Sequence, residues 1–139
     1  MNQEVLKPWR PIEGLGNKVH IYSVCNDYES FRVVLVEHGN TTRRLLLDFR
    51  GSVRAYRETD DLVALHLLRG HVEPFENEEP HPWALYTVTN SEYLKWASHN
   101  SGIDPITILG IVHYAICTED AVLEILSWCE PKVVFVNIE

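Results

Sequence analysis

Residues 118–129 read TEDAVLEILSWC, and Val122, Ile125, Leu126 and Cys129 recur there at the i, i+3, i+4, i+7 spacing of a single helix face. Thr118 stands at the N-cap position, and Glu119 and Asp120 fall in the first turn, where the helix dipole favours negative charge. Pro131 stops the segment, and KVVFVNI after it has the continuous apolar character of an interior strand. The pattern predicts a helix lying on a sheet.

Upstream the alternation continues. ILGIVHYAIC reads as a strand, with Val112, Tyr114 and Ile116 opposed to Ile111, His113 and Ala115. TNSEYLKWASHNSG reads as a helix in which Thr89 and Glu92 have capping-box spacing, with Asn90 and Ser91 as rival caps and Gly102 suited to the exit. Tyr93, Trp96 and Ala97 share one of its faces, and WALYTVT before it is a strand. Residues 70–83 form an acidic, proline-rich loop, because Pro74, Pro80 and Pro82 end any regular element. Residues 51–70 are open to two readings: a short strand or turn and then a helix capped by Thr59 or Asp60, with Leu62, Leu65, His66 and Arg69 on one face, or a second hairpin strand.

Nearer the start, KVHIYSVC, FRVVLVEH and TRRLLLDF are rich in β-branched and aromatic residues and are joined by short polar connections, which predicts antiparallel hairpins. Residues 1–17 carry Pro8, Pro11, Gly14 and Gly16 and read as an irregular arm anchored by Trp9. The order β-β-β-(α)-loop-β-α-β-α-β then predicts one α+β domain spanning residues 1–139, a mainly antiparallel or mixed sheet of about six strands with two or three helices packed on it.

Composition narrows the function classes. Twenty acids against 12 Lys and Arg give a net charge of −8, a field that repels phosphate backbones and anionic lipid and attracts basic surfaces. No nucleic acid or membrane partner is therefore expected, and no run of roughly 18 apolar residues suggests a span. Cys25, Cys117 and Cys129 are an odd number without disulfide-framework spacing, which points to reduced, mostly buried thiols and a cytoplasmic setting. Gly14-Leu15-Gly16 lacks the third glycine and the following helix of a dinucleotide fold, and neither a P-loop nor a serine elbow is present, so no cofactor and no catalytic residue is assigned.

The loop HVEPFENEEPHPW offers His71 and His81 with Glu73 or Glu78 as metal ligands, but without HExxH or Cys-x-x-Cys spacing it reads as a solvated acidic loop. Cys117 lies four strand positions after His113, roughly 13 Å away, too far for a thiol–imidazole pair. Arg43, Arg44, Arg50, Arg54 and Arg57 are expected to pair with Glu37, Asp48 and Glu58 rather than form a patch, since Arg43 and Arg44 point to opposite faces of a strand.

LLLDFRGSVRAYRETDD (Leu45–Asp61), TNSEYLKW (Thr89–Trp96), HYAICTEDAVLEIL (His113–Leu126) and EPKV (Glu130–Val133) together cover the parts of the chain that resemble a group of small, largely uncharacterised bacterial cytosolic proteins. Some of that group look like immunity proteins of polymorphic toxin systems. The resemblance brings no catalytic signature and implies a binding protein. The expectation is a non-enzymatic acidic domain that docks a partner with a basic surface through Glu76, Glu78, Glu79, Trp83, Glu119 and Asp120, the aromatic serving as anchor. The alternative is a small-ligand-binding or hydrolytic domain in which Tyr56, Arg57, Asp60, His113 and Tyr114 converge in a pocket between helices and sheet. A homo-oligomer fits either reading.

Overall fold

The computed structural model describes residues 4–60, 71–74, 82–101 and 110–138. It is mainly β. In chain order the elements are β1 (Val5–Pro8), β2 (Val19–Asn26), β3 (Phe31–Glu37), β4 (Arg43–Arg50), β5 (Val53–Asp60), β6 (His71–Val72), β7 (Leu85–Thr89), α1 (Glu92–Ser101), β8 (Val112–Cys117), β9 (Ala121–Ser127) and β10 (Lys132–Asn137). They build a six-stranded sheet ordered β5-β9-β8-β7-β1-β6 and a four-stranded sheet ordered β10-β4-β3-β2. Neighbours are antiparallel except β1 and β6, which run parallel.

The α+β expectation is therefore corrected: two sheets replace one, and α1 is the single helix among the described residues. The decisive segment is β9. Val122 to Ser127 are all buried, because Leu123 and Ile125 enter the core between the sheets while Val122 and Leu126 pack on the opposite face. A strand covered on both sides is apolar at nearly every position, and any helical spacing can be picked out of such a run. Thr118 does accept the backbone N–H groups of Asp120 and Ala121, at 3.3 and 3.0 Å, but these bonds close the β8–β9 turn rather than begin a helix.

Val53–Asp60 forms strand β5, and the helix expected to follow it falls outside the described residues. Thr59 and Asp60 pair with Val122 and Ala121 as the end of β5. Leu62, Leu65, His66 and Arg69 lie outside the described residues. Within the arm of residues 1–17, Val5–Pro8 forms β1 and pairs with β7.

One core joins the sheets. Val33, Leu35, Leu45, Leu47 and Phe49 from the smaller sheet meet Leu85, Tyr114, Ile116, Leu123 and Ile125 from the larger. Each fully buried Leu or Ile contributes about 1.5–3 kcal/mol. The chain crosses between sheets at the β4–β5 corner, where Arg50 takes φ 56°. There the Ser52 hydroxyl donates to the Phe49 carbonyl at 2.6 Å and lies 2.6 Å from Ser127 Oγ, so the corner is tied to the end of β9. On the outer face of the larger sheet, Tyr93 and Leu94 of α1 pack with Ile111 and Leu126. Among the described residues no helix is long and apolar enough to cross a membrane.

Candidate functional site

The residues expected to dock a partner do not form one surface. Glu76, Glu78 and Glu79 lie outside the described residues, as does His81 of the loop considered for metal binding. Trp83 is half-buried, packs against the core, and donates its indole N–H to the Trp9 carbonyl at 2.9 Å. It clamps the arm. Glu119 and Asp120 are exposed, in the β8–β9 turn instead of a helix start.

That turn lies beside the end of β5. Because Asp60 pairs with Ala121 and Glu58 with Leu123, the exposed acids Glu58 and Asp60 are brought to the same end of the sheet as Glu119 and Asp120. Glu58 and Asp120 line a groove of about 360 Å³ whose other wall is His20, Ile21, Tyr22 and Val24 of β2. Tyr22 is 57% exposed, with the Arg44 guanidinium 3.7 Å from its ring centre. Lys18 Nζ stands 3.7 Å from Glu119 Oε1, both well solvated. The result is a mostly acidic rim beside an exposed tyrosine, one face of which carries the Arg44 guanidinium.

A second polar assembly is buried under α1. Asn90, at φ 55°, turns the chain out of β7 so that Ser91 caps the helix, its Oγ accepting the Leu94 N–H at 2.9 Å. The same oxygen is 2.6 Å from His113 Nδ1, and His113 Nε2 is 3.0 Å from Glu124 Oε1, although that oxygen lies off the ring N–H axis. Arg57 closes the chain, with Nε donating to Glu124 Oε2 at 2.7 Å and Nη2 to Oε1 at 3.2 Å. Its guanidinium lies 4.0 Å from the Tyr93 ring centre, and the Tyr93 and His113 rings meet nearly perpendicular, 5.6 Å between centroids. Burial alone would raise the Glu124 carboxyl; the His113 ring and the Arg57 guanidinium outweigh it and bring it down to about 2.

Ser91, His113 and Glu124 stand in the order of an acyl-transfer relay, yet they are 2%, 1% and 1% exposed. With its oxygen buried and already accepting the Leu94 N–H, Ser91 fastens the helix; the arrangement is a latch between α1 and the sheet. Cys25 and Cys129 are exposed, against the expectation of mostly buried thiols, and Cys117 has no thiolate character, since burial, and then the charge of Glu124, push it up to about 12.

Of the five residues expected to converge in a pocket, Arg57 and His113 meet through Glu124, and His113 and Tyr114 both line a cavity of about 700 Å³ with Ser91 and Leu94, whereas Tyr56 and Asp60 do not reach it. Tyr114 faces the core against Trp9 and Phe49, Tyr56 stacks near Phe31, and Asp60 is exposed at the strand end. The arginines form no patch: Arg43 pairs with Glu37 at 2.7 Å, while Arg44 and Arg54 lie over Tyr22 and Trp128. Ser91 and Glu124 were missed as site residues. The available signal was Glu124 itself, the one charge in VLEIL, since a charge in an interior strand requires a buried partner.

Among the described residues no three His, Cys, Asp or Glu side chains converge as a metal-ligand set. No known protein family, curated protein or solved structure matches the chain.

Proposed function

We propose that the protein is a binding domain of immunity type that captures a basic protein partner at the rim of Glu58, Asp60, Glu119 and Asp120, with Tyr22 as the aromatic anchor. The observation that carries this reading is the gathering of four exposed acids from β5 and the β8–β9 turn beside an exposed tyrosine. A net charge of −8 adds long-range attraction that accelerates encounter, and an aromatic beside the charges supplies contact area once the partner arrives.

The test is partner capture from the source cell's lysate with three forms: native, a rim variant (Glu58→Gln, Asp60→Asn, Glu119→Gln, Asp120→Asn), and a loop variant (Glu76→Gln, Glu78→Gln, Glu79→Gln). Stoichiometric retention of one basic protein by the native and loop forms, lost in the rim variant and weakened by salt, is the expected result. Loss in the loop variant alone moves the docking surface to residues 70–83. Equal retention by all three forms, or retention of no basic protein, overturns the reading.

A further inference from the structure

The geometry points to a surface binding site for a divalent transition metal, formed by His20 and His38. His20 lies on β2 opposite Val36 of β3, and His38 follows the end of β3, its backbone N–H held by the Lys18 carbonyl at 3.0 Å. The hairpin therefore fixes both backbones. The rings approach through His20 Nε2 and His38 Nδ1, which are 3.4 Å apart. The two nitrogens share a long hydrogen bond, its donor set by the tautomers, which a metal ion bound between them would replace. Their separation matches the span of two imidazole nitrogens in one tetrahedral shell, since ligands about 2.0–2.1 Å from the metal at the tetrahedral angle lie about 3.4 Å from each other.

The ring centroids are 5.7 Å apart and the planes are inclined at 50°, so the two nitrogens meet head to head. Tilting the two rings through their Cα–Cβ and Cβ–Cγ torsions aims both lone pairs at a common point. His38 is exposed and His20 half-exposed, which leaves room for that tilt. Glu58 and Asp120 line the groove on which His20 borders, and their charges draw cations toward it. With no third protein ligand among the described residues, water completes the shell. The tetrahedral span suits Zn²⁺, while the ordinary affinity order makes Cu²⁺ the tighter-binding probe once the rings close toward its tetragonal angle; Mg²⁺ and Ca²⁺, which require oxygen, are disfavoured.

The experiment is a Cu²⁺ titration of the full chain followed by calorimetry and by the nitrogen couplings in its electron paramagnetic resonance spectrum. The comparison forms are His20→Asn, His38→Asn and the double variant His71→Asn, His81→Asn, with thermal melting as the control for folding. The expected result is one tight Cu²⁺ with two coupled nitrogens, weakened roughly tenfold or more by either His20→Asn or His38→Asn and unchanged in the His71, His81 variant. Unchanged binding in either single variant, or loss in the His71, His81 variant, overturns the assignment. Should a variant fail to fold, native protein serves: sub-stoichiometric Cu²⁺ must broaden the His20 and His38 ring resonances first, and broadening elsewhere first overturns the assignment equally.

Discussion

Replacing Glu124 by glutamine keeps the size of the side chain but removes the charge between His113 and Arg57. A carboxyl that ionises near 2 in the folded chain and near its ordinary 4.5 in the unfolded chain contributes about 3 kcal/mol at neutral pH. The sign follows from the direction of the shift. Because the folded value is depressed, the contribution is complete above about 4.5 and is lost as pH falls toward 2. Urea unfolding followed by tryptophan fluorescence, run on native protein and Glu124→Gln from pH 7 to pH 3, should show the variant less stable by about 3 kcal/mol at pH 7, with the gap closing below pH 4.5. Other carboxylates held low, such as Glu37 beside Arg43, change both proteins alike and cancel in the difference. A gap that stays constant across the range, or one below about 1 kcal/mol at pH 7, would refute the view that Glu124 is a buried carboxylate stabilised by its two partners.

Ser91→Ala removes both the cap of α1 and the partner of His113 Nδ1, so it should cost about 2 kcal/mol and speed amide hydrogen exchange in residues 92–101 ahead of the strands. Leu123→Ala should cost about 2–5 kcal/mol in denaturant unfolding because its side chain fills the core shared by both sheets; a loss below about 1 kcal/mol would place β9 nearer an edge. In the native state a thiol-alkylating reagent at pH 8 should label the exposed Cys25 and Cys129 and leave Cys117 unmodified, as read by peptide mass spectrometry.

How far the sequence speaks depends on what each residue is asked to do locally. The β2–β3–β4 meander is readable because its alternating runs and short polar turns act between neighbours in the chain, and the same holds for α1, whose cap and first turn are contiguous. The second sheet is different. Its interior strands β8 and β9 are covered on both faces, and a segment with two buried sides loses the polar beat that separates a period of 2 from one of 3.6. Thr118 compounds the ambiguity, since a threonine that accepts backbone N–H groups two and three residues ahead does the same at a helix start and at a hairpin turn. The sites follow the same division. Glu119 and Asp120 are visible as charges, but the company of Glu58 and Asp60 comes from β5 pairing with β9 across more than sixty residues of chain. Likewise Ser91, His113, Glu124 and Arg57 come from four separate elements or element ends, and only the solitary charge in VLEIL announces that such partners must exist. Buried charge is thus the sequence feature here that predicts a long-range contact, because leaving Glu124 unpaired in an interior strand would cost more than the fold can spare.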